Sequence, residues 1–207
     1  MTGSIRILLA DDHLVLREGV TSILDGENGV EIVGAAENGA EAVEAFKQLR
    51  PDVTLLDLQM PVMGGLDALA AIRAHAPNAR VIVLTTYEGD AQAVRALKAG
   101  ASGYLLKSSL RKELIDAIRA VHSGRRYILA EVAQEIAAHA AEEALSEREV
   151  AVLQLVAEGK ANKIIAHEIA VSEDTVKAHL RSIFSKLEVN DRTQAVTVAL
   201  RRGIITL

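Results

Sequence analysis

Residues 53–63 read VTLLDLQMPVM, an apolar run that contains a single aspartate, Asp57. A continuous apolar run of this kind is typical of a strand buried on both faces of a parallel sheet. A carboxylate in such a run is costly to remove from water unless it is paired, binds a metal ion or lies at the exposed end of the strand. We therefore expect Asp57 to end a strand and to have a chemical role there.

Short apolar runs of the same type recur through the first 120 residues and are separated by segments with helical periodicity. The predicted strands are IRILLA (5–10), VEIVGAA (30–36), DVTLLDL (52–58), RVIVLTT (80–86) and GYLLK (103–107), and the predicted helices cover about 14–25, 39–49, 65–75, 90–99 and 111–122. Strands that alternate with helices predict an α/β domain with a doubly wound, five-stranded parallel sheet.

The rest of the chain has a different pattern. Residues 123–145 are rich in alanine and predict a helical linker between a first domain, 4–122, and a second, 146–207. The second domain is predicted to be all α, with four helices near 146–157, 162–170, 173–187 and 191–202. Its first helix opens with a capping box of Ser146 and Glu149. The tight turn before the third helix predicts a helix-turn-helix.

The composition restricts the classes of function. The chain has 207 residues, of which 50% are hydrophobic, a net charge of −5 and no cysteine. The lack of cysteine excludes disulfides, thiolate metal sites and a cysteine nucleophile. There is no run of about 18 uncharged apolar residues and no signal sequence before the first aspartates. We therefore expect a soluble, cytoplasmic protein without a membrane partner.

Three carboxylates are expected to meet at one edge of the predicted sheet. Asp11 and Asp12 directly follow the first strand, and Asp57 ends the third. Ligands of open α/β sheets bind outside the carboxyl ends of the strands, and these two strands are neighbours if the sheet has the order 2-1-3-4-5. Three adjacent carboxylates repel one another unless a cation neutralises them. Oxygen ligands with room for water suit Mg²⁺.

Two further side chains belong to the same edge, since Thr85 and Lys107 end the fourth and fifth strands. A hydroxyl, an ammonium group and a divalent cation around Asp57 would bind the oxygens of a phosphoryl group. Asp57 could itself accept that group as a nucleophile. Taken singly, the aspartate has a plainer interpretation as a turn residue or helix N-cap, and Thr85 as an ordinary strand residue.

The segments LLADDH, LLDLQMPVMGG, VLTT and GYLLK, in this order, resemble the receiver domain of bacterial two-component response regulators. The resemblance covers residues 4–122. It implies that Asp57 is the phosphoacceptor, that Asp12 binds Mg²⁺ directly and that Asp11 binds it through water. The backbone carbonyl of Gln59 would complete the protein ligands.

The same resemblance assigns roles to three other residues. It implies that Lys107 contacts the phosphoryl oxygens and that Thr85 moves to bind the phosphoryl group. Tyr104 would turn inward with Thr85 as the switch aromatic. The sequence departs from the family at Ser108, where many receivers have proline.

Residues 145–196, LSEREVAVLQLVAEGKANKIIAHEIAVSEDTVKAHLRSIFSKLEVNDRTQAV, resemble the LuxR/NarL-type DNA-binding domain. The third helix, with Ser172 as its expected N-cap, has an apolar stripe formed by Val176, Leu180, Ile183, Phe184 and Leu187. We expect its opposite face to carry Asp174, Ala178, Arg181, Ser182 and Ser185, flanked by Lys177.

The family implies that this third helix reads DNA through Lys177, Ala178 and Arg181. Lys177 and Arg181 lie on adjacent turns and could each reach either guanine in the major groove or a backbone phosphate. After residue 122 the chain has two aromatic residues, Tyr127 and Phe184. This is too few for a stacking platform that binds single strands, so duplex DNA is favoured.

The tail departs from its family at the start of the second helix. The family usually has the capping box Ser-Asn-Lys-Glu there, whereas this chain has Ala161-Asn162-Lys163-Ile164. The sequence therefore predicts a frayed or shifted helix start. It leaves open whether Asn162 caps one residue later or whether Ile164 gains a buried contact.

The favoured function is a transcription factor that binds duplex promoter DNA as a homodimer and is phosphorylated at Asp57 by a sensor histidine kinase. One alternative is a regulator that binds DNA independently of phosphorylation, although this leaves Lys107 without a role. Another is a phosphatase with Asp57 as nucleophile. Such enzymes commonly have a second acidic residue two positions later, where this chain has Gln59.

Overall fold

The structure, a computed structural model, describes residues 4–86, 90–138 and 144–205. The contacts between these residues divide them into two compact units. The first unit contains residues 4–86 and 93–133, and the second contains residues 90–92, 134–138 and 144–205. Among the helices of the described residues, none is both long enough and apolar enough to cross a bilayer.

A parallel sheet of six strands forms the centre of the first unit. The strands are β1 (Ile5–Ala10), β2 (Val30–Ala36), β3 (Val53–Asp57), β4 (Val81–Thr85), β5 (Gly103–Leu106) and β6 (Tyr127–Ile128). Their order is β2-β1-β3-β4-β5-β6. The helices that connect and follow them are α1 (Leu14–Asp25), α2 (Gly39–Leu49), α3 (Gly65–His75), α4 (Asp90–Lys98) and α5 (Leu110–His122).

The central strands are buried on both faces, as their continuous apolar sequences predict. Every residue of β3, β4 and β5 is buried. One core cluster joins strand residues to apolar side chains of α1 and α5, among them Leu24, Leu114 and Ile118. The predicted doubly wound parallel fold is confirmed, and the sheet gains one strand beyond the predicted five.

The strand register brings the ends of distant sequence segments together. Ala10 pairs with Leu56 across β1 and β3, so Asp11 lies beside the end of β3. Thr85 pairs with Leu106 across β4 and β5, so the next residue, Lys107, extends beyond the same edge. The positions of the polar side chains at this edge therefore follow from the register of buried apolar strands.

The sixth strand departs from the predicted helical linker over 123–145. Tyr127 and Ile128 pair with Gly103 and Tyr104 of β5 and extend the parallel sheet. The helical prediction is wrong for residues 123–129, which contain this strand and no helix. The strand forms because an open strand edge offers its backbone hydrogen-bond partners. Helix α6 (Ala130–Ala138) begins after Leu129 and agrees with the predicted helical character. Residues 139–143 of the predicted linker lie outside the described residues.

Four helices form the described core of the second unit: α7 (Glu147–Ala157), α8 (Asn162–Glu168), α9 (Glu173–Lys186) and α10 (Arg192–Arg201). Apolar residues from all four helices form one cluster, including Val152, Ile165, Val176, Ile183 and Ala195. The predicted capping box of Ser146 and Glu149 is present. The predicted four-helix domain with a tight turn between its second and third helices is therefore confirmed.

The start of α8 has no side-chain cap in place of the missing capping box. Ala161 occupies the N-cap position and makes no side-chain cap hydrogen bond. The helix begins at Asn162, so its start is not shifted and Asn162 does not cap it one residue later. Ile164 is 49% exposed and has not gained a buried position. Fraying of this end remains a prediction.

Candidate functional sites

The acidic cluster lies at the carboxyl edge of the sheet, as predicted. Asp11 and Asp57 are 0% and 2% exposed, because each lies at the end of a buried strand. Asp12 belongs to the loop before α1, and its side chain is 32% exposed. Two buried carboxylates and one accessible carboxylate therefore face a common space.

Lys107 provides the cation that pairs with the two buried carboxylates. Its Nζ lies 2.7 Å from Asp11 Oδ2 and 2.8 Å from Asp57 Oδ2, and its side chain is only 8% exposed. One ammonium group thus serves two carboxylates, and Asp12 adds a third negative charge nearby. The cluster keeps a net negative charge that favours a further cation.

Burial and the neighbouring charges shift the pKa values of Asp57 and Lys107. Desolvation raises the pKa of Asp57 above its ordinary value, and neighbouring Asp11 raises it further, while Lys107 and the backbone of Gln59 act in the opposite direction. Burial alone would lower the pKa of Lys107, but its hydrogen bonds with Asp11 and Asp57 outweigh burial and raise it. Lys107 is therefore held as a cation at the centre of the cluster.

The donor atoms fit a hard divalent cation. One ligand atom from each of Asp11, Asp12, His13 and Asp57 lies within 4.8 Å of the other three. Three of these residues offer carboxylate oxygens, which Mg²⁺ prefers, while imidazole suits softer metals. The geometry is thus compatible with Mg²⁺ held by the three aspartates. The role of the Gln59 carbonyl as a further ligand stays a prediction.

His13 was missed as a member of this cluster, although the segment ADDH shows it directly after the two aspartates. Its Nδ1 lies 2.8 Å from Asp12 Oδ1, and its backbone N–H donates to Asp11 Oδ1 at 2.9 Å. These contacts fix the two carboxylates relative to the start of α1. His13 thus orients the acidic side chains.

Thr85 and Tyr104 form a buried pair beside the cluster. Thr85 is 1% exposed at the end of β4, and Tyr104 on β5 is fully buried. Their side chains are hydrogen-bonded, and burial raises the pKa of Tyr104 to about 12. Tyr104 therefore already points inward in this structure, in direct contact with Thr85, and the implied turn of its ring stays a prediction.

The loop after Asp57 approaches the strand end very closely. The backbone N–H of Gly65 donates to the carbonyl of Leu58 at 3.0 Å. A Cβ atom on Gly65 would lie only 1.9 Å from the backbone oxygen of Asp57. Position 65 therefore requires glycine, which explains the second glycine of the QMPVMGG segment.

In the second unit, α9 presents the predicted polar face. Ser172 accepts a hydrogen bond from the backbone N–H of Thr175 and caps the helix, as predicted. Lys177, Ala178 and Arg181 are all exposed. Lys177 Nζ donates to Asp174 Oδ1 at 3.0 Å, and this hydrogen bond raises the pKa of Lys177.

Ser182 does not belong to that exposed face, which corrects the sequence prediction. Its hydroxyl donates to Glu149 Oε1 at 2.6 Å and ties α9 to α7. Oε2 of Glu149 accepts from the Ser146 backbone at 2.7 Å and from Lys186 Nζ at 3.0 Å. The helical wheel missed this contact because Ser182 flanks the apolar stripe and α7 covers that flank.

The two units of the chain match two known protein families. Residues 7–119 match the family described as response regulator receiver domain, and residues 143–199 match the family described as bacterial regulatory proteins, luxR family. The transcriptional regulatory protein LiaR of Bacillus subtilis is 39% identical in sequence, over 97% of this chain and 99% of its own length.

Solved structures agree with these matches. The crystal structure of response regulator ChrA, from a heme-sensing two-component system, is 40% identical and covers 98% of this chain and 100% of its own, with a TM-score of 0.59. A structure of two RcsB dimers bound to two parallel DNAs is 25% identical and covers 96% of this chain and 99% of its own, with a TM-score of 0.72. Both similarities extend over nearly the full chain.

Proposed function

Because the chain belongs to the response regulators that combine a receiver domain with a LuxR-type DNA-binding domain, we propose that it is a transcription factor whose binding to duplex DNA is controlled by phosphorylation of Asp57. The family supports a transcription regulator rather than an enzyme with an external substrate. We assign residues 4–122 to the receiver, 123–145 to the linker and 146–207 to DNA binding. DNA as a partner supports a cytoplasmic location.

One observation carries the proposal: Asp57 ends a buried strand with Lys107 Nζ 2.8 Å from its Oδ2. In the proposed reaction an oxygen of Asp57 attacks the phosphorus of a phosphohistidine on a sensor kinase. The new O–P bond forms as the N–P bond breaks, and the bonding electrons leave with the imidazole. Lys107 would then bind a phosphoryl oxygen, because its ammonium group already lies beside the acceptor.

The acidic residues would hold Mg²⁺ for this transfer. Asp12 and Asp57 are the proposed direct ligands, with Asp11 acting through water and the Gln59 carbonyl completing the protein set. When bound, the ion neutralises negative charge on the carboxylates and on the incoming phosphoryl oxygens. The buried side chains of Asp11 and Asp57 support this assignment, since they are fixed before a cation arrives.

We assign the switch to Thr85 and Tyr104. A phosphoryl group adds about −1.5 to −2 charge units and strong acceptor oxygens at the sheet edge. Thr85 lies at that edge and is hydrogen-bonded to buried Tyr104, so a shift of the threonine is passed directly to the aromatic ring. Packing of β4 and β5 would change with it and favour the DNA-binding homodimer.

We assign DNA recognition to α9. Lys177, Ala178 and Arg181 are exposed, while the opposite stripe of α9 is buried in the helical core. An exposed helix with two basic side chains on adjacent turns fits the major groove. The RcsB structure is of dimers on DNA, which supports a homodimer on duplex DNA for this chain.

A selection experiment tests the proposed function. The full chain, incubated with MgCl₂ and acetyl phosphate, is expected to enrich a shared sequence from a pool of random duplexes more strongly than the untreated chain. Asp57→Asn should show no gain from the same treatment. Equal enrichment in all samples would favour phosphorylation-independent binding. Continuous multiple turnover of acetyl phosphate, without a stable change in binding, would favour the phosphatase.

A further inference from the structure

Arg17 of α1 connects two loops at the acidic edge of the sheet. Its Nη1 donates to the backbone carbonyl of Asp11 at 2.7 Å. Its Nη2 forms an ion pair with Glu37, which follows β2. The Arg17 side chain is only 12% exposed, whereas a solvated helix arginine would extend into water. Both ends of its guanidinium group therefore have defined partners.

The carbonyl that Arg17 binds belongs to the peptide group between Asp11 and Asp12. A hydrogen bond to this oxygen fixes the plane of that peptide group, and so the directions in which the two carboxylates leave the backbone. The backbone N–H of Asp11 also donates to Ala36 at 3.1 Å, at the end of β2. Arg17 and the β2 end thus hold Asp11 from both sides.

We propose that Arg17 is a positioning residue for the divalent cation: it presets the relative orientation of Asp11 and Asp12. The inference rests on the proposed function, since it concerns the ion that would serve phosphorylation of Asp57. Residues that hold metal ligands in place commonly change metal affinity strongly when they are replaced. Arg17 does so through the backbone and without touching the ion.

The charge of Arg17 makes this proposal easy to separate from simple electrostatics. Replacing Arg17 by glutamine removes a cation near the acidic cluster and leaves the negative charge of Glu37 unpaired. Coulomb's law alone therefore predicts tighter Mg²⁺ binding by the variant. Loss of the preset carboxylates predicts weaker binding. The two explanations differ in the sign of the effect.

Calorimetric titration of the unphosphorylated full chain with MgCl₂ measures the dissociation constant and so shows whether the variant binds Mg²⁺ more tightly or more weakly. We expect Arg17→Gln to raise the dissociation constant for Mg²⁺ roughly tenfold. Arg17→Lys should show an intermediate rise, because a lysine cannot bind both partners with a planar fork. Arg119→Gln is the matched control, since it removes an arginine from an exposed ion pair with Glu27. It should leave the constant within about twofold.

Thermal unfolding without Mg²⁺ shows whether each variant is folded. If Arg17→Gln does not fold, Arg17→Lys serves as the test variant. Unchanged or tighter Mg²⁺ binding by a folded variant would overturn the inference, as would a wild-type chain that binds no Mg²⁺. If the wild type binds Mg²⁺ but acetyl phosphate never labels Asp57, the proposed function fails. The positioning role of Arg17 would then still be decided by the titration.

Discussion

At the scale of single residues, Gly65 shows how tightly the backbone is packed around Asp57, the proposed phosphoacceptor. A Cβ atom at this position would lie 1.9 Å from the Asp57 backbone oxygen and 2.8 Å from the Leu58 Cα. Because these neighbours are backbone atoms, they cannot rotate away as a side chain can. Gly65→Ala must therefore displace the end of β3, which carries Asp57.

We expect Gly65→Ala to lower the free energy of unfolding by about 1–3 kcal/mol, as overpacking of a core does. Denaturant titration measures this difference. Gly64→Ala is the matched control, because its Cβ would meet only the Leu58 oxygen at 3.7 Å. Its effect should stay within about 0.5 kcal/mol. Equal stabilities of the two variants would refute the close approach at position 65.

Glu149 is a second residue whose role follows from its partners. Burial alone would raise its pKa, but hydrogen bonds from Ser182, the backbone of Ser146 and Lys186 lower the pKa from 4.5 to about 2. A depressed pKa contributes stability that is fully present above pH 4.5 and is lost as pH falls towards 2. The contribution is about 3 kcal/mol at neutral pH, as an order of magnitude.

Glu149→Gln should therefore remove part of the acid sensitivity of the helical unit. Urea unfolding, followed at neutral pH and again between pH 4.5 and 2, is expected to show a stability gap between wild type and variant that narrows as pH falls. Glu168→Gln, which alters an exposed pair with Lys160, should show a gap below about 1 kcal/mol throughout. A constant gap for Glu149→Gln would contradict the assigned pKa.

At the scale of elements, α7 and α8 contrast within one unit. The capping box of Ser146 and Glu149 closes the start of α7, whereas Ala161 leaves the start of α8 without a side-chain cap. The backbone at Ala161 is already extended, with φ −72° and ψ 154°, close to the conformation at Ser146. A serine can therefore cap α8 without backbone adjustment.

The double substitution Ala161→Ser with Ile164→Glu should raise the free energy of unfolding by about 0.5–2 kcal/mol. Amide hydrogen exchange at residues 162–165 should slow in parallel, because the restored box would suppress fraying. Ala151→Ser, at an exposed position inside α7, is the control and should be neutral or slightly destabilising. Slow exchange at 162–165 already in the wild type would show that this end does not fray.

The sixth strand shows the limit of periodicity as a predictor of elements. Tyr127 and Ile128 are two residues, too few to show the alternation by which strands are predicted. They pair with β5 because that strand has a free edge, and the Tyr127 hydroxyl also donates to Glu113 of α5. Such contacts exist only in the assembled sheet and cannot be seen in the local sequence. The alanine-rich surroundings of Tyr127 and Ile128 therefore predicted a helix instead.

At the scale of the whole molecule, the sequence predicted the fold class, the strand order around the acidic edge and the helical second unit. This was possible because buried strands leave continuous apolar runs and their register places Asp11, Asp57 and Lys107 together. The hydrogen-bond partners of individual side chains could not be predicted in the same way. Arg17 and Ser182 find theirs across elements, and a helical wheel records only which side of one helix they occupy.

Phosphorylation of Asp57 is tested most directly by intact mass spectrometry of the full chain after incubation with acetyl phosphate and MgCl₂. We expect one added phosphoryl group on the wild type and on Asp67→Asn, a control at an exposed carboxylate of α3, and none on Asp57→Asn. An unlabelled wild type, or equal labelling of Asp57→Asn, would contradict it.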